Sequence, residues 1–375
     1  MSKFAIIGCG FVADLYMGSF RTMPEAEIVG VYDLDHARLK TFCDHWNLKA
    51  MESREALFEA LPEGGIVLNL TNPDAHFAVS SAALEAGFHV YSEKPLATRM
   101  DDARALHALA GEKGLLLASA PCSVLGETAQ TLARAVRKGV AGTPRLVYAE
   151  LDDGFISQAP YDKWTSESGA PWPAEDEFRV GCTLEHAGYY LTWLMAMFGP
   201  VKTVVAASAT VVPGKVPGEE TAPDVSIATL FFEGGMVARL TCTIVAPHDH
   251  QIRVVGDKGT LAVKEAWNNA APVKFHRRFT LRRRLVDMPV GRKVRLDTKE
   301  THPKVGRWGA ASMNFALGPM EMLQALTEGR DCRLSADFAL HLNEVTLAIQ
   351  GAGAHSGAQE MTTRCELMEP MPWAG

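Results

Sequence analysis

Short apolar runs alternate with amphipathic segments through the first 120 residues of the chain. Each run has four to six residues, which suits a strand buried on both faces. The longer amphipathic segments between the runs predict helices. Repeated strand–helix units indicate a parallel sheet with helices on both faces. Strands are predicted at 4–7, 27–32, 65–70, 88–91 and 115–119.

From about residue 121 the pattern changes to longer strand-like runs. Glycine-containing turns at 233–235 and 256–259 join consecutive runs as hairpins. We therefore predict an α+β domain with a large, open, mostly antiparallel sheet. Helices predicted at 182–198, 318–328 and 336–350 could cover one face of this sheet, and a partner subunit could cover the other.

A glycine-rich turn follows the first predicted strand. Gly8 permits a tight turn, Gly10 lets a phosphate approach the backbone, and Ala13 allows close helix–strand packing. A pyrophosphate would then lie at a helix N-terminus, where unpaired N–H groups favour an anion. These features predict an NAD(P)-binding Rossmann domain over residues 1–120. Residues 121–375 are then predicted to form a substrate-binding and oligomerisation domain.

Asp33 ends the second predicted strand, about where such a unit places the acid that binds the adenosine ribose. The alternative is a turn residue, because Asp33 and Asp35 also suit a strand end and a helix cap. With the glycines in front of it, the ribose role is favoured. An acid there repels a 2′-phosphate, so NAD is expected rather than NADP, although His36 and Arg38 leave NADP open.

Composition bounds the class of protein. The chain has 375 residues, 47% hydrophobic and 22% charged, which suits two domains with a sizeable core. Its net charge of −7 gives no reason to expect nucleic acid as a partner.

The basic segment 274–295 is interpreted as an exposed or subunit-facing hairpin rather than a nucleic-acid site. No leader or bilayer-spanning stretch is recognisable, so we expect a soluble cytoplasmic protein. The seven cysteines form no C-x-x-C pair, so we expect no structural metal.

Glu93-Lys94-Pro95 directly follows a buried strand, at the sheet edge where ligands bind. Pro95 disfavours helical geometry at Lys94 and holds it extended. The Lys94 ammonium could donate hydrogen bonds to a substrate hydroxyl and lower the pKa of a neighbouring acid. The alternative for Glu93 and Lys94 is a surface ion pair after a strand.

Five motifs occur in order along nearly the whole chain. They are Gly8-x-Gly10-x-x-Ala13, Asp33, Asn72-Pro73-x-x-His76, Glu93-Lys94-Pro95 and Gly256-x-Lys258-Gly259-x-Leu261. Together they resemble the Gfo/Idh/MocA oxidoreductases. The resemblance implies a Rossmann domain followed by an α/β domain that builds a dimer or tetramer. It also implies NAD(P)-dependent oxidation or reduction of a sugar, cyclitol or related polyol, with Lys94 in the catalytic group. The cofactor-binding residues expected on this basis are Gly8, Gly10, Phe11, Val12, Asp33, Thr71, Asn72, His76, Glu93 and Lys94.

The family's second catalytic motif is D-x-G-x-H/Y on a helix, and we match it to residues 185–190. In this match His186 takes the position of the acid and Tyr190 that of the His/Tyr. Their spacing of four would place both on one helix face. Tyr190 could be the base, with its phenolate stabilised by Lys94, and His186 could pass the proton on or be the base itself. The alternative is that this face is only core.

A segment rich in tryptophan and proline is a candidate for substrate binding. Trp164 and Trp172 offer flat apolar faces for the C–H side of a sugar ring. Glu175, Asp176, Glu177 and Arg179 could bond the sugar hydroxyls or an acidic substituent. The alternative is a proline-stiffened surface loop.

Three functions compete on the sequence alone. The leading hypothesis is a nicotinamide-dependent sugar or polyol dehydrogenase that forms a homodimer or homotetramer. The second is redox-assisted glycoside cleavage or elimination, in which bound NAD is regenerated within each cycle. The third is a non-enzymatic sensor of sugar or cofactor, against which the presence of Lys94 argues. The sequence does not name the substrate, the direction of reaction or the subunit count.

Overall fold

The computed structural model describes residues 3–307, 309–355 and 357–375. The first two residues, to which the expectation of no leader refers, lie outside the described residues. The first half contains a five-stranded sheet. Its strands are β1 (Phe4–Ile7), β2 (Ile28–Tyr32), β3 (Ile66–Asn69), β4 (His89–Ser92) and β5 (Leu117–Ser119). Its helices are α1 (Phe11–Phe20), α2 (His36–Trp46), α3 (Arg54–Ala60), α4 (His76–Glu85) and α5 (Met100–Lys113).

All neighbouring strands of this sheet are parallel, in the order β2-β1-β3-β4-β5, which confirms the predicted Rossmann-type sheet. Every residue of β1 is buried, as expected for a short apolar strand between two helical layers. The chain leaves β1 for β2 on one side and reaches β3 on the other. A crevice therefore opens beyond the carboxyl ends of β1 and β3, where ligands bind in such sheets.

The second half builds an 11-stranded sheet. Its long central strand pairs in parallel with one neighbour and antiparallel with the others, so the predicted, mostly antiparallel sheet is confirmed. The strands are β6 (Pro144–Phe155), β7 (Val201–Ala209), β8 (Val225–Phe232), β9 (Val237–Thr243), β10 (Val245–Asp249), β11 (Ile252–Gly256), β12 (Gly259–Val263), β13 (Lys274–Leu281), β14 (Arg284–Asp287), β15 (Arg292–Lys293) and β16 (Ala358–Glu360). The helices are α6 (Glu127–Arg137), α7 (Ala174–Val180), α8 (Gly188–Phe198), α9 (Leu317–Glu328) and α10 (Ala336–Gln350), with a π-helix over Thr183–Ala187 before α8.

One face of the large sheet is covered and the other is open. Along β8, Ala228 and Leu230 are buried, whereas Ile227 and Phe231 are 50% and 40% exposed. The covering elements include α10, which packs on β7 and β8, and α6, which packs on β12. Such alternation of buried and exposed residues is typical of an antiparallel sheet with one covered face.

Helix α9 was expected to cover the large sheet, and this expectation is wrong. It packs instead on β3, β4 and β5 of the parallel sheet. Gly318 lies so close to the ring of Tyr91 that a Cβ at this position would collide with it. The missing side chain thus lets α9 approach the parallel sheet, so the second half of the chain reaches back over the first.

The basic segment forms the predicted exposed hairpin. Strands β13 and β14 pair antiparallel, and Arg282 at their turn has a left-handed φ of 55°. Asp287 pairs with Arg278 across the strands at 2.8 Å. Leu285 is 70% exposed, so the hairpin presents apolar as well as basic side chains to its surroundings. Among the helices of the described residues, none is both long enough and apolar enough to cross a bilayer.

Candidate active site

A cavity of about 750 Å³ lies at the carboxyl edge of the parallel sheet. One side is formed by the turn after β1 and the loops after β3 and β4. The other side comes from the second half of the chain, namely α7, the π-helix, the start of α8 and residues Asp153 and Trp267. The cavity therefore joins the predicted cofactor site to the predicted substrate domain.

The glycine turn fits a dinucleotide. Gly8 has a φ of +94°, and a Cβ there would lie 2.6 Å from the carbonyl carbon of Leu70, so only glycine is accommodated. A Cβ at Gly10 would meet nothing within 4 Å, and Gly10 lines the cavity together with Phe11 and Val12. Helix α1 begins at Phe11, so its first free N–H groups lie beside this open space. These residues could hold the pyrophosphate of a dinucleotide.

Asp33 is held beside this turn by the backbone. Its Oδ2 accepts a hydrogen bond from the N–H of Cys9 at 2.8 Å, and its Oδ1 accepts one from the N–H of Asp35 at 2.8 Å. Oδ2 also accepts the Cys9 thiol at 3.3 Å, whereas Oδ1 keeps a lone pair with which a ribose hydroxyl can be bound. Arg38 lines the cavity and pairs with Asp35 at 3.2 Å. The arrangement suits NAD, while Arg38 could pair with a 2′-phosphate.

His76 does not reach the cavity, contrary to the contact expected from the family resemblance. The side chain is fully buried, with Nδ1 2.6 Å from the carbonyl oxygen of Pro95 and Nε2 2.9 Å from that of Thr71. Burial lowers the pKa of His76, and the two carbonyl contacts oppose this effect. His76 therefore connects the loops after β3 and β4 from behind, which makes it a positioning residue.

Thr71, Asn72 and Glu93 line the cavity, as expected. The amide of Asn72 donates a hydrogen bond to Asp176 Oδ2 at 2.5 Å, so the cofactor loop contacts the substrate segment directly. Glu93 is buried and accepts a hydrogen bond from the Tyr16 hydroxyl at 2.6 Å. Its other oxygen accepts the N–H of Lys94 at 3.1 Å, which fixes the backbone from which Lys94 projects.

Lys94 lines the same cavity and forms an ion pair with Glu185. The side chain of Lys94 is 17% exposed and that of Glu185 only 4%. Burial by itself would lower the pKa of Lys94, but the carboxylates of Glu185 and Glu177 raise it well above its ordinary value. Lys94 is therefore an ammonium that is held in a fixed position and can donate hydrogen bonds into the cavity.

The helix that carries the second motif places Tyr189, not Tyr190, on the cavity. Tyr190 is fully buried in the core, and its hydroxyl has no hydrogen-bond partner among the described residues. The π-helix over Thr183–Ala187 has hydrogen bonds from i to i+5, so the α-helical rule of a shared face at a spacing of four does not apply across it. The expected common face of His186 and Tyr190 is therefore wrong.

His186 does line the cavity. Its ring packs at 60° against that of Trp267, with centroids 5.8 Å apart. Burial lowers the pKa of His186, the charge of Asp153 opposes this, and Lys94 reinforces it. The imidazole is therefore neutral at neutral pH and able to accept a proton.

Glu177 is a half-buried acid that the motifs did not single out for catalysis. Burial and the charge of Glu185 raise its pKa well above the ordinary value, whereas Lys94 acts to lower it. Two carboxylates beside one ammonium leave one negative charge unbalanced, and a proton shared by the two carboxyl groups removes it. Glu177 lines the cavity and is protonated more readily than an ordinary carboxylate.

The substrate segment divides between the cavity and the surface. Trp164 and Trp172 line the cavity with their rings inclined at 68° and a centroid distance of 5.2 Å, and Asp176 also lines it. The expected contributions of Glu175 and Arg179 are wrong. Arg179 faces outward and bonds Glu219 at 2.6 and 2.9 Å, and Glu175 is 70% exposed. Residues four apart share the outer face of α7, so they leave the cavity together.

Sequence reasoning missed several residues that line the cavity. For two of them a signal was present, because Glu185-x-Ala187-x-Tyr189 has the spacing of D-x-G-x-H/Y when the match starts one residue earlier. No local signal pointed to Asp153 in β6 or to Trp267 in the segment after β12.

Comparison with known proteins gives matches over both halves. A model for the GFO/IDH/MocA oxidoreductase family, with an NAD-binding Rossmann fold, matches residues 2–120, and one for the GFO/IDH/MocA C-terminal domain matches residues 129–262. D-apiose dehydrogenase from Paraburkholderia graminis is 26% identical over 269 residues, which span 69% of this chain and 66% of that enzyme.

Two solved structures have the same fold. An oxidoreductase from Agrobacterium radiobacter in complex with NAD⁺, L-tartaric acid and magnesium has a TM-score of 0.73 and 18% identity, over 96% of this chain and 98% of that one. The WlbA dehydrogenase from Bordetella pertussis, in complex with NADH and UDP-GlcNAcA, has a TM-score of 0.70 and 19% identity, over 96% and 98%. The two family models together cover more than half of the chain, which therefore belongs to the Gfo/Idh/MocA oxidoreductases with an NAD-binding Rossmann domain.

Proposed function

We propose that this protein is an NAD-dependent dehydrogenase that acts on a CH–OH group of a neutral sugar, cyclitol or related polyol. The observation that carries the proposal is the ion pair of Lys94 and Glu185 in a cavity that also contains the Gly10 turn. NAD bound on that turn supplies the hydride acceptor. The relative named D-apiose dehydrogenase supports a carbohydrate substrate.

In this proposal Lys94 donates a hydrogen bond to the reacting oxygen. The ammonium stabilises the negative charge that develops on that oxygen as its proton leaves. Glu185 keeps the ammonium in place, so little reorganisation is needed during the reaction. Lys94 is thus a catalytic residue and Glu185 a positioning residue.

His186 is our candidate for the proton acceptor. It lines the cavity and its lowered pKa leaves the imidazole unprotonated at neutral pH. Tyr189 has a pKa that burial raises, so its hydroxyl stays protonated and can orient the substrate oxygen by a hydrogen bond. These roles replace the one that the sequence suggested for Tyr190.

The charges of the cavity argue for a neutral or cationic substrate. Five acidic side chains line it, against two basic ones, of which Lys94 is already paired and Arg38 lies at the cofactor end. An acidic substituent would be repelled there, and Arg179, its expected partner, faces outward. The acids are Glu93, Asp153, Asp176, Glu177 and Glu185.

The test is a paired-substrate assay with the purified full chain. Reduced nicotinamide would be followed with NAD, and separately with NADP, for neutral aldoses, cyclitols and the uronic acid that matches each aldose. We expect oxidation with NAD, with the neutral sugar of each pair preferred at least about tenfold in kcat/KM. A preference for the uronic acids would contradict the charge argument. Absence of turnover while NADH still binds would instead favour the sensor hypothesis.

Glu177 also supports a second candidate, redox-assisted elimination or glycoside cleavage. Such a reaction needs an acid to protonate the leaving group, and the raised pKa of Glu177 suits that role. Product analysis in the same assay separates the two functions. Product without net NADH formation would favour elimination, whereas equal amounts of product and NADH would favour the dehydrogenase.

We further propose a cytoplasmic homodimer or homotetramer. The open face of the large sheet exposes Val205, Ile227 and Phe231 by 40–50%, and a second copy could cover them. The seven cysteines are all buried free thiols, which suits a reducing compartment. Light scattering should give a multiple of the 40.7 kDa chain mass, and Ile227→Lys should shift it toward that mass.

A further inference from the structure

Two histidines and an aspartate meet where β10 runs beside the end of β6. His248 and His250 are two residues apart in extended chain, a spacing that projects side chains to the same side. The pairing of β10 with β6 shifts register before Asp249, and this places both rings next to Asp153. One potential ligand atom from each of Asp153, His248 and His250 lies within 4.8 Å of the other two.

The least exposed member of this cluster has a ring nitrogen that faces a carboxylate without forming a hydrogen bond to it. The side chain of His250 is 1% exposed, and its Nε2 lies 3.3 Å from Asp153 Oδ1, within ion-pair distance but outside hydrogen-bond geometry. The other ring nitrogen lies 3.1 Å from Glu265 Oε1, and Trp267 packs against the ring at a centroid distance of 4.4 Å. An ion bound between His250 and Asp153 would give both atoms a directed contact.

We propose that Asp153, His248 and His250 form a binding site for a divalent transition-metal ion of the zinc class. Four ligands at about 2.0–2.1 Å in a tetrahedron lie roughly 3.3 Å from one another. The separation of His250 Nε2 and Asp153 Oδ1 already has this value. Imidazole and carboxylate ligands suit zinc and its neighbours, whereas magnesium and calcium prefer oxygen ligands alone.

Glu265 completes the surroundings of the site. Its two oxygens lie 3.1 Å from His250 Nδ1 and 3.0 Å from His248 Nε2. A carboxylate that accepts the Nδ1–H of a histidine leaves Nε2 free for a metal and fixes the ring orientation. His248 is 55% exposed, so its ring can turn to complete the ligand set.

The site is separate from hydride transfer and does not depend on the proposed substrate. Asp153 nevertheless lines the main cavity, so an ion held by it would border that cavity. Three protein ligands leave a tetrahedral ion one open position for water or for a group of a bound ligand. The cysteine pattern had predicted no structural metal. The candidate ligands here are histidines and an acid, which only the strand pairing brings together.

Titration calorimetry on metal-stripped full-length protein without a polyhistidine tag tests the proposal. We expect uptake of one Zn²⁺ per chain and no uptake of Mg²⁺ at the same concentration. Co²⁺ should give the intense visible absorption of a tetrahedral ion. No Zn²⁺ uptake would overturn the proposal and would mean that a proton occupies the gap between His250 and Asp153. Equal uptake of Mg²⁺ would overturn it as well.

Two variants assign the binding to these residues. His248→Gln changes an exposed ligand and should preserve the fold, and we expect it to weaken Zn²⁺ binding at least about tenfold. His107→Gln is the matched control, because His107 is also partly exposed and lies 2.6 Å from a carboxylate oxygen of Asp337. It should bind Zn²⁺ as the unmodified protein does. Equal affinities of the two variants would overturn the assignment.

Discussion

Lys94 and Glu185 form an ion pair across the cavity although they lie 91 residues apart in the chain. Lys94 follows the fourth strand of the parallel sheet, and Glu185 lies in the π-helix of the second half. The pair therefore joins the Rossmann half of the molecule to the half that carries the large sheet. Its position explains why a lysine after a strand, which could have been a surface residue, is a candidate for catalysis.

Removal of the Lys94 ammonium should abolish most of the activity. We expect Lys94→Ala to lower kcat by about 10²–10³-fold, because one preorganised donor to a developing oxyanion has that effect. NADH affinity, measured by fluorescence titration, should change little, since the glycine turn is intact. Circular dichroism would show whether the variant is folded. A folded variant with near-normal kcat would contradict the proposed role of Lys94.

The adjacent tyrosines provide a matched pair. Tyr189→Phe removes a hydroxyl at the cavity and should lower kcat by roughly tenfold to a hundredfold. Tyr190→Phe removes a buried hydroxyl that has no partner among the described residues, so kcat should be unchanged. Its free energy of unfolding, from urea titration, should be unchanged or higher by about 1 kcal/mol. If Tyr190→Phe were the variant that lost activity, the assignment would be reversed.

Asp33 should set the cofactor preference. Asp33→Asn keeps an oxygen that can accept the N–H of Cys9 but removes the charge that repels a 2′-phosphate. We expect the KM for NAD to rise about tenfold and the preference for NAD over NADP to fall by at least as much. Asp35→Asn is the control, because it removes the same charge from the cap of α2. Similar shifts in both variants would mean that general electrostatics, not ribose binding, sets the preference.

His341 should make stability depend on pH below neutrality. Burial lowers its pKa to about 4, against the opposing charges of Glu344 and Glu233. Nε2 accepts the N–H of Val201 at 2.9 Å, so the folded state requires an unprotonated Nε2. The pKa in the unfolded chain is about 6.5, so the unfolded state binds more protons between pH 4 and 6.5. The stabilisation is therefore complete above pH 6.5 and is lost as the pH falls toward 4, by about 3 kcal/mol.

Urea unfolding at pH 7, 6 and 5 measures this effect. His341→Gln cannot titrate and retains an oxygen for the N–H of Val201, so its stability should fall less over the same range. His355→Gln changes an exposed histidine and should keep the pH dependence of the unmodified protein. An identical dependence in all three proteins would contradict the assignment to His341.

The features that the sequence predicted correctly are local ones. The strands of the parallel sheet are short apolar runs, and Gly8 has the positive φ that its position in the motif requires. The place of Lys94 at a strand end follows from neighbours within a few residues. The basic hairpin also follows from local alternation and a two-residue turn. Local structure of this kind can be predicted from the sequence because it depends on residues that are close together in the chain.

The tertiary structure decided which side chains share the cavity. The π-helix set the helical phase, and this phase selects Tyr189 and leaves Tyr190 in the core. Arg179 bonds Glu219 on the surface instead of a substrate, and the register of β10 against β6 gathers the two histidines at Asp153. Helical phase and strand register are set by packing between segments that are far apart in sequence. The sequence alone therefore determined the fold class and the cofactor turn, and only long-range packing decided the composition of the site.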